Sequence, residues 1–461
     1  MLLATRTARW GVALGVTVAG ALAATALGAG APQASPPVPP APARHRMVPA
    51  LAAHPHVKRL PSTLVPGQSP FSCEQEFEGF YCYSPDQIRR AYSIQPLLDR
   101  GKDGRGRTIV IVDAYAVPGI REDLKAFDAT FGLPDPSLRI VRPQGANWDP
   151  KDPEQQGWAG ETDLDVQWAH AVAPGARIVL VQARSSDDAD ILAATRWAVD
   201  HNVGDVISQS FGEDERCVSP SIARAQHKLF QRATAKGITL FASSGDQGSA
   251  LPDCDGDRFR KAVSSPATDP LVTAVGGTFL DAHLPEGSYL EEAVWNESDT
   301  YGSAGGGGFS RLVRKPWFQN RAVPGRARAV PDVAYNAGID SGVACVFGDA
   351  ATGGQGQAYF IVGGTSAGAP QWAGLVAIGA QIAHHRLGLI NDDLYALGAS
   401  AKASSLFHDV RGGNNAFSFD TGNDTWVTIP GYAAKKGWDA ATGWGSPIAS
   451  RLLPALARRA R

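Results

Sequence analysis

Two kinds of hydrophobic pattern alternate along the chain from Thr108 onward. Short, continuous apolar runs rich in β-branched residues are typical of strands that are buried on both faces of a parallel sheet. Between them lie longer stretches in which apolar residues recur every three or four positions, as in helices. The predicted strands are TIVIVDA (108–114), ARIVLVQA (176–183), GDVISQSF (204–211), GITLFASS (237–244), LVTAVGGT (271–278) and AYFIVGG (358–364), and helices are predicted over 189–201, 221–237 and 367–385.

Strands that alternate with helices in this way predict an α/β fold. We expect a mostly parallel central sheet with helices on both faces. In sheets of this kind the functional site lies outside the carboxyl ends of the strands. The polar residues that follow the predicted strands are therefore the candidates for chemistry.

The N-terminal region differs from the rest of the chain. Arg6 and Arg9 precede a long apolar run with small residues near its end, which predicts a signal peptide over 1–34 and a secreted, extracellular protein. An uncleaved membrane anchor is the alternative, because the apolar run is long for a signal. Residues 35–72 are predicted to be a Pro-rich linker or short propeptide, and 73–461 the functional domain.

Charge and cysteine content narrow the class of protein further. The net charge is −2 over 461 residues, which gives no basic patch for nucleic acid, and we expect a monomer without a membrane span after signal cleavage. In an exported chain the five cysteines suggest disulfides. The expected pairs are Cys73–Cys82 and Cys217–Cys254, which leaves Cys345 as a buried apolar thiol.

The stretch IVGGTSAGAP (361–370) contains a candidate nucleophile. Thr365 and Ser366 lie where a predicted strand ends in Gly-Gly and an apolar helix begins. Free backbone N–H groups and the helix dipole favour negative charge there. An acyl-transfer enzyme uses such a position for a serine whose own N–H helps to hold the oxyanion. A plain helix N-cap is the alternative interpretation.

The base for this serine is predicted to be a carboxylate. The pattern Gly-Thr-Ser-x-x-x-Pro resembles the subtilisin clan, yet none of the ten histidines is followed by glycine as the histidine of a subtilisin is. A helix is predicted to begin at Glu161 in GETDLDVQWAH. In this helix Glu161 and Asp165 share one face about 40° apart, whereas His170 lies about 180° from Glu161. Two adjacent carboxyls share a proton and so provide a base at acidic pH. A solvated acidic first turn is the alternative.

A third acid follows the predicted strand 237–244. Asp246 lies in the turn Ser-Gly-Asp-Gln-Gly. In a site of low dielectric constant it can stay protonated and donate a hydrogen bond to an oxyanion. A carboxyl donates only while it is protonated, so this role also predicts activity at acidic pH. The alternative is an ordinary Asx-turn aspartate.

Together these motifs resemble the sedolisin (serine-carboxyl peptidase) family, which has a subtilisin-like fold. The resemblance runs from about Tyr83 to the C-terminus and includes the stretches 264–278, 305–310 and 330–338. It implies a serine endopeptidase that hydrolyses proteins or peptides at acidic pH through an acyl-enzyme. The implied roles are nucleophile for Ser366, general base for Glu161, orientation of that base for Asp165 and the oxyanion hole for Asp246.

The C-terminal segments FHDV (407–410) and KKGWDAATGWGSP (435–447) are candidates for a metal site. Asp409 and Asp439 offer hard oxygen ligands beside Gly- and Asn-rich loops, which suits calcium, although two plain loop aspartates are the alternative. The family resemblance implies one calcium ion, Ca2+, held by Asp409, Val410, Gly437 and Asp439. Lys435 stands where members have a further glycine.

Three questions stay open at this stage. Members of the family have a long N-terminal activation domain, so either 35–72 acts as a minimal propeptide or activation is controlled differently. A Ser-His-Asp peptidase that uses Asp113 and His170 is one alternative function, and a non-catalytic secreted binding protein on a peptidase fold is another. The residues also do not separate endopeptidase from tripeptidyl-peptidase action.

Overall fold

The computed structural model describes residues 46–49, 52–53, 58–59, 81–422 and 425–460. The predicted signal peptide 1–34 lies outside the described residues, as do most of the predicted linker and Cys73.

A sheet of eight strands lies at the centre. The strands are β1 (Thr108–Ala114), β2 (Ser137–Val141), β3 (Arg177–Ala183), β4 (Val206–Gln209), β5 (Thr239–Ser243), β6 (Thr273–His283), β7 (Ser288–Val294) and β8 (Val333–Asn336). Their order is β7-β6-β5-β4-β1-β3-β2, with β8 also paired to β6. In the described part of the chain every pair in this sheet is parallel except β6–β7, which confirms the predicted mostly parallel sheet.

Helices cover both faces of this sheet, as predicted. The helices are α1 (Pro85–Ala91), α2 (Gln95–Leu98), α3 (Ile120–Phe131), α4 (Pro153–Val172), α5 (Asp188–Asp200), α6 (Pro220–Ala235), α7 (Thr365–Ala383), α8 (Asn391–Gly398) and α9 (Ala449–Arg459), with 3-10 turns at Trp317–Arg321 and Ala403–Ser405.

Strand β1 shows how the two faces are covered, because successive side chains of a strand point to opposite faces. Its Ile109 and Ile111 join the apolar cluster that contains α4, α7 and α9, whereas Val110 and Val112 join the cluster that contains α5 and α6.

Helix α4 begins eight residues before the predicted start at Glu161, so that boundary was wrong. Asp152 caps the helix by accepting a hydrogen bond from the Glu154 N–H at 3.0 Å, and Pro153 occupies the first helical position, where its fixed φ is favourable. The two glycines at 157 and 160 weaken the helical pattern of this stretch, which hid its first two turns.

Smaller sheets surround the central one. The predicted strand 358–364 forms one of them, antiparallel to its neighbour, rather than joining the parallel sheet. The paired strands are Tyr81–Tyr83, Ser341–Phe347, Ala358–Gly363, Ala52–Ala53 and Lys58–Arg59; Val48–Pro49, Phe211–Asp214 and Ser264–Ser265; Ala250–Pro252 with Phe259–Lys261; Asn296–Glu297 with Ser303–Ala304; Gly308–Arg314 with Ala327–Val330; Phe407–His408 with Ser446–Pro447; and Phe417–Asp420 with Trp426–Ile429.

The predicted strand 204–211 divides between two sheets. It leaves the central sheet after Gln209, and Phe211–Asp214 continues as the middle strand of the three-stranded sheet. Gly212 in this strand has no room for a side chain, because a Cβ atom there would collide with Ser264 Oγ. The absence of a side chain thus permits the close approach of the two strands.

The described cysteines agree with the predicted redox state. Cys217 and Cys254 form a disulfide, which confirms that pair, and Cys345 is a buried free thiol. Cys82 is also disulfide-bonded, while its predicted partner Cys73 lies outside the described residues. Among the described helices none is both long and apolar enough to cross a membrane.

Candidate active site

Three neighbouring strands bring polar residues to one edge of the central sheet. Strands β1, β4 and β5 are adjacent and parallel, so their carboxyl ends lie side by side. Asp113 is the sixth residue of β1, Ser210 directly follows β4, and Asp246 lies three residues after β5. The site therefore lies at the edge that the α/β pattern predicts.

Ser366 reaches this edge at the start of helix α7. The helix begins at Thr365 after Gly364, whose φ of +104° belongs to glycine, so Ser366 is in its first turn. The side chain is buried, and its hydroxyl donates to the backbone carbonyl of Ser210 at 3.2 Å. A serine at this position has helix N–H groups and the positive end of the dipole beside it.

Glu161 lies next to Ser366 on helix α4. Burial raises the pKa of the Glu161 carboxyl well above its usual range, and the nearby charge of Asp165 raises it further, whereas the Ser366 hydroxyl lowers it. Neither carboxyl oxygen of Glu161 has a hydrogen-bond partner within the described ranges, since Ser366 donates to Ser210 instead. The structure thus places a carboxyl beside the serine without engaging it.

Asp165 and Asp113 extend this group of acids. Both side chains are buried. Burial is the largest cause of the raised pKa of Asp165, and the nearby charge of Asp113 raises that pKa further. Burial also raises the pKa of Asp113 to about 7. Asp113 is a member of the acid cluster that sequence reasoning missed, because it was considered only as the partner of a histidine. Its position at the carboxyl end of β1 was the signal that could have identified it.

Asp246 is hydrogen-bonded to Thr365, the residue that precedes Ser366. Its Oδ1 accepts hydrogen bonds from the N–H of Thr365 at 2.9 Å and from the Thr365 hydroxyl at 2.8 Å. Its Oδ2 is buried and has no partner in the described part of the chain. Burial raises the pKa of Asp246 to about 7, against the two bonds from Thr365. A protonated Oδ2 can donate to an oxygen beside Ser366.

His170 does not join the site. Its Nε2 lies 2.8 Å from the carbonyl oxygen of Pro134 and 3.3 Å from Asp128 Oδ1, and burial lowers its pKa to about 4. The Ser-His-Asp arrangement of the alternative function, with Asp113 and His170, is therefore not assembled.

A second pair of buried acids lies between α3, which carries Asp123, and α4, which carries Asp163. Asp163 is buried, and its Oδ2 accepts a hydrogen bond from the Gly348 N–H at 3.4 Å, while its Oδ1 has no partner among the described residues. The carboxyl of Asp123 lies so close to the same glycine that a Cβ atom at position 348 would collide with it. Burial raises the pKa of Asp163, and the charge of Asp123 raises it further.

Two of the predicted metal ligands, Asp409 and Asp439, lie beside one loop, and the described residues contain no group of three or more His, Cys, Asp or Glu side chains that could hold a metal ion. Gly437 N–H donates to Asp409 Oδ1 at 2.8 Å, and Lys435 N–H donates to Asp439 Oδ2 at 3.1 Å, so both carboxylates lie beside the segment whose carbonyls would complete the site. Oxygen donors of this kind fit calcium. The Arg411 guanidinium donates from Nε to Asp409 Oδ2 at 2.8 Å, so it would compete with a metal ion for that oxygen.

Comparison with known proteins agrees with this architecture. Residues 156–412 match the model of the Subtilase family. Kumamolisin from Bacillus sp. (strain MN-32) is 36% identical over 384 residues, which are 81% of this chain and 63% of that protein. Tripeptidyl-peptidase sed4 from Aspergillus fumigatus is 27% identical over 383 residues, which are 70% of this chain and 58% of that protein. The chain thus spans about three fifths of the length of these relatives.

A solved structure gives the same result. Pseudomonas sedolisin, described as a serine-carboxyl proteinase complexed with two molecules of pseudo-iodotyrostatin, matches 83% of this chain and 100% of its own with a TM-score of 0.69 and 31% identity. The family model covers more than half of the chain, and the structural match extends over the whole of a homologous peptidase. This chain belongs to the subtilase family and, within it, to the sedolisins.

Proposed function

We propose that this chain is a secreted serine-carboxyl endopeptidase that hydrolyses proteins and peptides at acidic pH. The observation that carries the proposal is the buried Glu161 carboxyl beside Ser366, at a helix N-terminus and next to two further acids. The chain would act on its substrates as a monomer.

Acylation uses residues that already adjoin one another. The Ser366 hydroxyl leaves its bond to the Ser210 carbonyl and attacks the carbonyl carbon of the substrate, while its proton passes to Glu161. The oxygen of the tetrahedral intermediate receives hydrogen bonds from the Ser366 N–H and from protonated Asp246. Glu161 then gives the proton to the leaving amine, and the C–N bond breaks.

Deacylation repeats these steps with water as the nucleophile. Glu161 takes a proton from the water, whose oxygen attacks the acyl carbon, and returns the proton to Ser366 Oγ as the ester bond breaks. Asp165 and Asp113 act behind Glu161. Because buried like charges repel, the cluster retains protons, and the negative charge that remains allows Glu161 to act as a base.

Activity at acidic pH is expected because one carboxyl acts as a proton donor and another as a base. Asp246 donates only below its pKa of about 7, and the cluster around Glu161 supplies a base without an imidazole, which is protonated below a pH of about 6. Activity should therefore fall as Asp246 loses its proton.

The decisive experiment compares wild type with Ser366→Ala on denatured casein from about pH 3 to about pH 8. We expect cleavage at acidic pH that falls toward neutrality, and a loss of about 10⁵-fold or more in the variant. Absence of Ser366-dependent cleavage at every pH would favour the non-catalytic binding protein.

We further propose one calcium ion at the C-terminal loops. Asp409 and Asp439 would supply carboxylate oxygens, and Val410 and Gly437 main-chain oxygens. A bound calcium ion would cross-link the two loops and balance their charge. Calcium added to chelator-treated protein should raise Tm by a few degrees, which corresponds to about 1 kcal/mol. An unchanged Tm over millimolar calcium would contradict this site.

A further inference from the structure

A pair of carboxyl groups near the active site takes no part in the proposed mechanism. Glu213 lies in the strand Phe211–Asp214, which directly follows Ser210, and Asp188 is the first residue of helix α5. Their side chains are hydrogen-bonded to each other. Asp188 is buried, as is Glu213 Oε1. Because a carboxylate has no donor of its own, such a bond requires a proton on one of the two groups.

The strand and the helix meet through one face of the strand. Phe211 joins the apolar cluster that also contains Ile191 and Leu192 of α5. Side chains two positions apart in a strand point to the same face, so Glu213 faces α5 as well. The bond from Glu213 to Asp188 is therefore a polar contact beside an apolar one, and both attach the same face of the strand to the same helix.

The proton in this bond belongs to Glu213. Burial raises the pKa of Glu213 to about 9, together with the charge of Asp188, the hydrogen bond between the two groups and the charge of Asp214. At the acidic pH of the proposed reaction the Glu213 carboxyl is therefore neutral and donates to Asp188. The two acids form a donor and an acceptor and do not repel each other as like charges.

The cations on the strand side of this pair contact another acid. Arg216 donates from Nε to Asp214 Oδ1 at 3.0 Å, and Arg260 donates from Nε to Asp214 Oδ2 at 2.8 Å. These two guanidinium groups balance the charge of Asp214, which follows Glu213 in the strand. The neighbouring acid is thus held as an ion pair, whereas Glu213 is held by its own proton.

The charged groups on the helix side are also engaged with one another. Arg46 lies with Nη1 2.5 Å from Glu154 Oε2 and with Nε 3.4 Å from Asp187 Oδ1. Asp190 in α5 accepts a hydrogen bond from the Ser185 hydroxyl at 2.8 Å. The charges that act on Glu213 are therefore chiefly those of acids, which favours its protonated form.

The position of this strand matters for the reaction because of Ser210. The Ser210 carbonyl accepts the Ser366 hydroxyl at 3.2 Å, and Phe211 follows directly. The backbone pairs at the edges of the strand are short, with Val48–Pro49 on one edge and Ser264–Ser265 on the other. An anchor on the face of the strand therefore helps to decide where the Ser210 carbonyl lies.

We infer that Glu213 donates a hydrogen bond to Asp188 that holds the strand Phe211–Asp214 against α5, and that these two acids are positioning residues for Ser366. The inference rests on the proposed function, since it gives both acids a part in the reaction of this serine. They act on Ser366 through the strand and the Ser210 carbonyl, and not on the substrate.

The first test removes the donor and then restores it. Glu213→Met removes the donor at similar volume, whereas Glu213→Gln keeps an N–H donor that does not titrate. In the cleavage of a casein peptide at about pH 4, we expect Glu213→Met to lower kcat about 10- to 100-fold, as a displacement of about 1 Å near a reacting group does. KM should change less than about threefold, and Glu213→Gln should stay within about threefold of wild type in both constants.

The second test removes the acceptor. Asp188→Asn keeps an oxygen that can accept from Glu213, so kcat should stay within about threefold of wild type, whereas Asp188→Leu should reproduce the loss seen in Glu213→Met. The double variant Glu213→Met/Asp188→Leu should lose no more than about twofold beyond either single variant. Losses that multiply would mean that the two residues do not act as a pair, which overturns the inference.

Glu291 provides the matched control for these variants. It is an exposed glutamate in strand β7, and Glu291→Met should leave kcat within about twofold of wild type. Circular dichroism and Tm establish that every variant is folded at the assay temperature. A lower Tm with unchanged kcat in Glu213→Met would show that the pair only stabilises the fold, and would overturn the inference.

Infrared spectroscopy tests where the proton lies. A protonated carboxyl has a carbonyl stretching band that a carboxylate lacks. Because the pKa of Glu213 is about 9, wild type at about pH 8 should show such a band, and Glu213→Gln should lose it. An identical band in the two proteins would mean that Glu213 carries no proton, which also overturns the inference.

The two proposals can fail separately. Unchanged kcat in Glu213→Met, in an enzyme whose cleavage of casein depends on Ser366, overturns the positioning pair alone. A protein without Ser366-dependent cleavage of casein overturns the proposed function as well.

Discussion

Two groups of aspartate and glutamate residues in this protein differ in how their oxygens are satisfied. At the active site, the buried carboxyls of Glu161, Asp165 and Asp113 accept no hydrogen bond from a backbone N–H in the described ranges, and the groups beside them are hydroxyls and one another. At the C-terminal loops, Asp439 Oδ1 accepts from the N–H groups of Ala441 at 2.9 Å and Thr442 at 2.8 Å. Both groups are acidic, yet only the second is held by backbone N–H donors.

The difference separates acids that stabilise the fold from acids that cost stability. A buried polar group whose hydrogen bonds are incomplete destabilises the folded state by about 1–3 kcal/mol, so a cluster of three such acids persists only where the surrounding structure enforces it. Such exceptions are expected at functional sites. In contrast, the hydrogen bonds around Asp439 hold the turn that follows it.

The largest effect should come from neutralising the base. Glu161→Gln removes the proton acceptor of Ser366 at nearly constant volume, so we expect kcat/KM to fall by about 10³- to 10⁴-fold. His170→Ala is the matched control, because that side chain contacts Pro134 and Asp128 instead, and kcat/KM per folded molecule should stay within about threefold. Unchanged cleavage by Glu161→Gln would rule out the carboxylate mechanism.

A smaller effect on rate, but a change in pH profile, is expected at Asp246. Asp246→Asn keeps a donor that does not titrate, so activity should extend above the pKa of about 7 with a loss of at most about tenfold at acidic pH. Asp246→Ala removes the donor and should lose about 10²- to 10³-fold at every pH. The measurement is the pH–rate profile of wild type, Asp246→Asn and Asp246→Ala. Superimposable profiles for wild type and Asp246→Asn would show that Asp246 does not act as a proton donor.

The buried acids of the active site and of its surroundings should also make stability depend on pH. Burial raises the pKa of Asp113, Asp163 and Asp246 in the folded state, so above about pH 4 the folded chain binds more protons than the unfolded chain. Stability is then fully present below the unfolded pKa and is lost as pH rises toward about 7. Asp163→Asn should reduce this loss, because the amide does not titrate, without changing the catalytic groups.

Urea unfolding at about pH 4 and about pH 7 measures this effect. Asp420→Asn is a suitable control, because Asp420 is exposed, and its stability difference between the two pH values should match that of wild type. A wild-type protein that is more stable at neutral than at acidic pH would contradict the assignment of raised pKa values.

The smallest effect should come from the paired acids. Asp439→Asn keeps the shape of the side chain but weakens the bonds from Ala441 and Thr442, so we expect a loss of about 1–2 kcal/mol in the free energy of unfolding. Thermal unfolding without added calcium measures it, and kcat at low temperature should not change. Loss of kcat with unchanged Tm would place Asp439 in the catalytic machinery instead.

Much of the fold could be predicted from the sequence because its signals are local. The apolar strands of the central sheet and helices α5 and α6 appear close to their predicted positions, since periodicity reports burial directly. The spacing of Glu161 and Asp165 likewise follows from helix geometry alone. The start of α4 could not be read, because Gly157 and Gly160 interrupt its pattern.

What could not be predicted depends on contacts between distant segments. No local pattern shows that Asp113 faces Asp165, or that the strand Ala358–Gly363 pairs antiparallel outside the central sheet. The pairing of Val48–Pro49 with Phe211 and Gly212 is of the same kind, since a two-residue strand has no periodicity of its own. Such register is decided by tertiary packing.

The glycine at 212 has a consequence that reaches beyond packing. The strand Phe211–Asp214 approaches Ser264 closely because residue 212 lacks a side chain. Ser210 directly precedes this strand, and its carbonyl accepts the hydroxyl of Ser366. A larger residue at 212 would push the strand away from Ser264 and would shift the group that holds the Ser366 hydroxyl. The position of the serine oxygen therefore depends on a residue that has no side chain of its own.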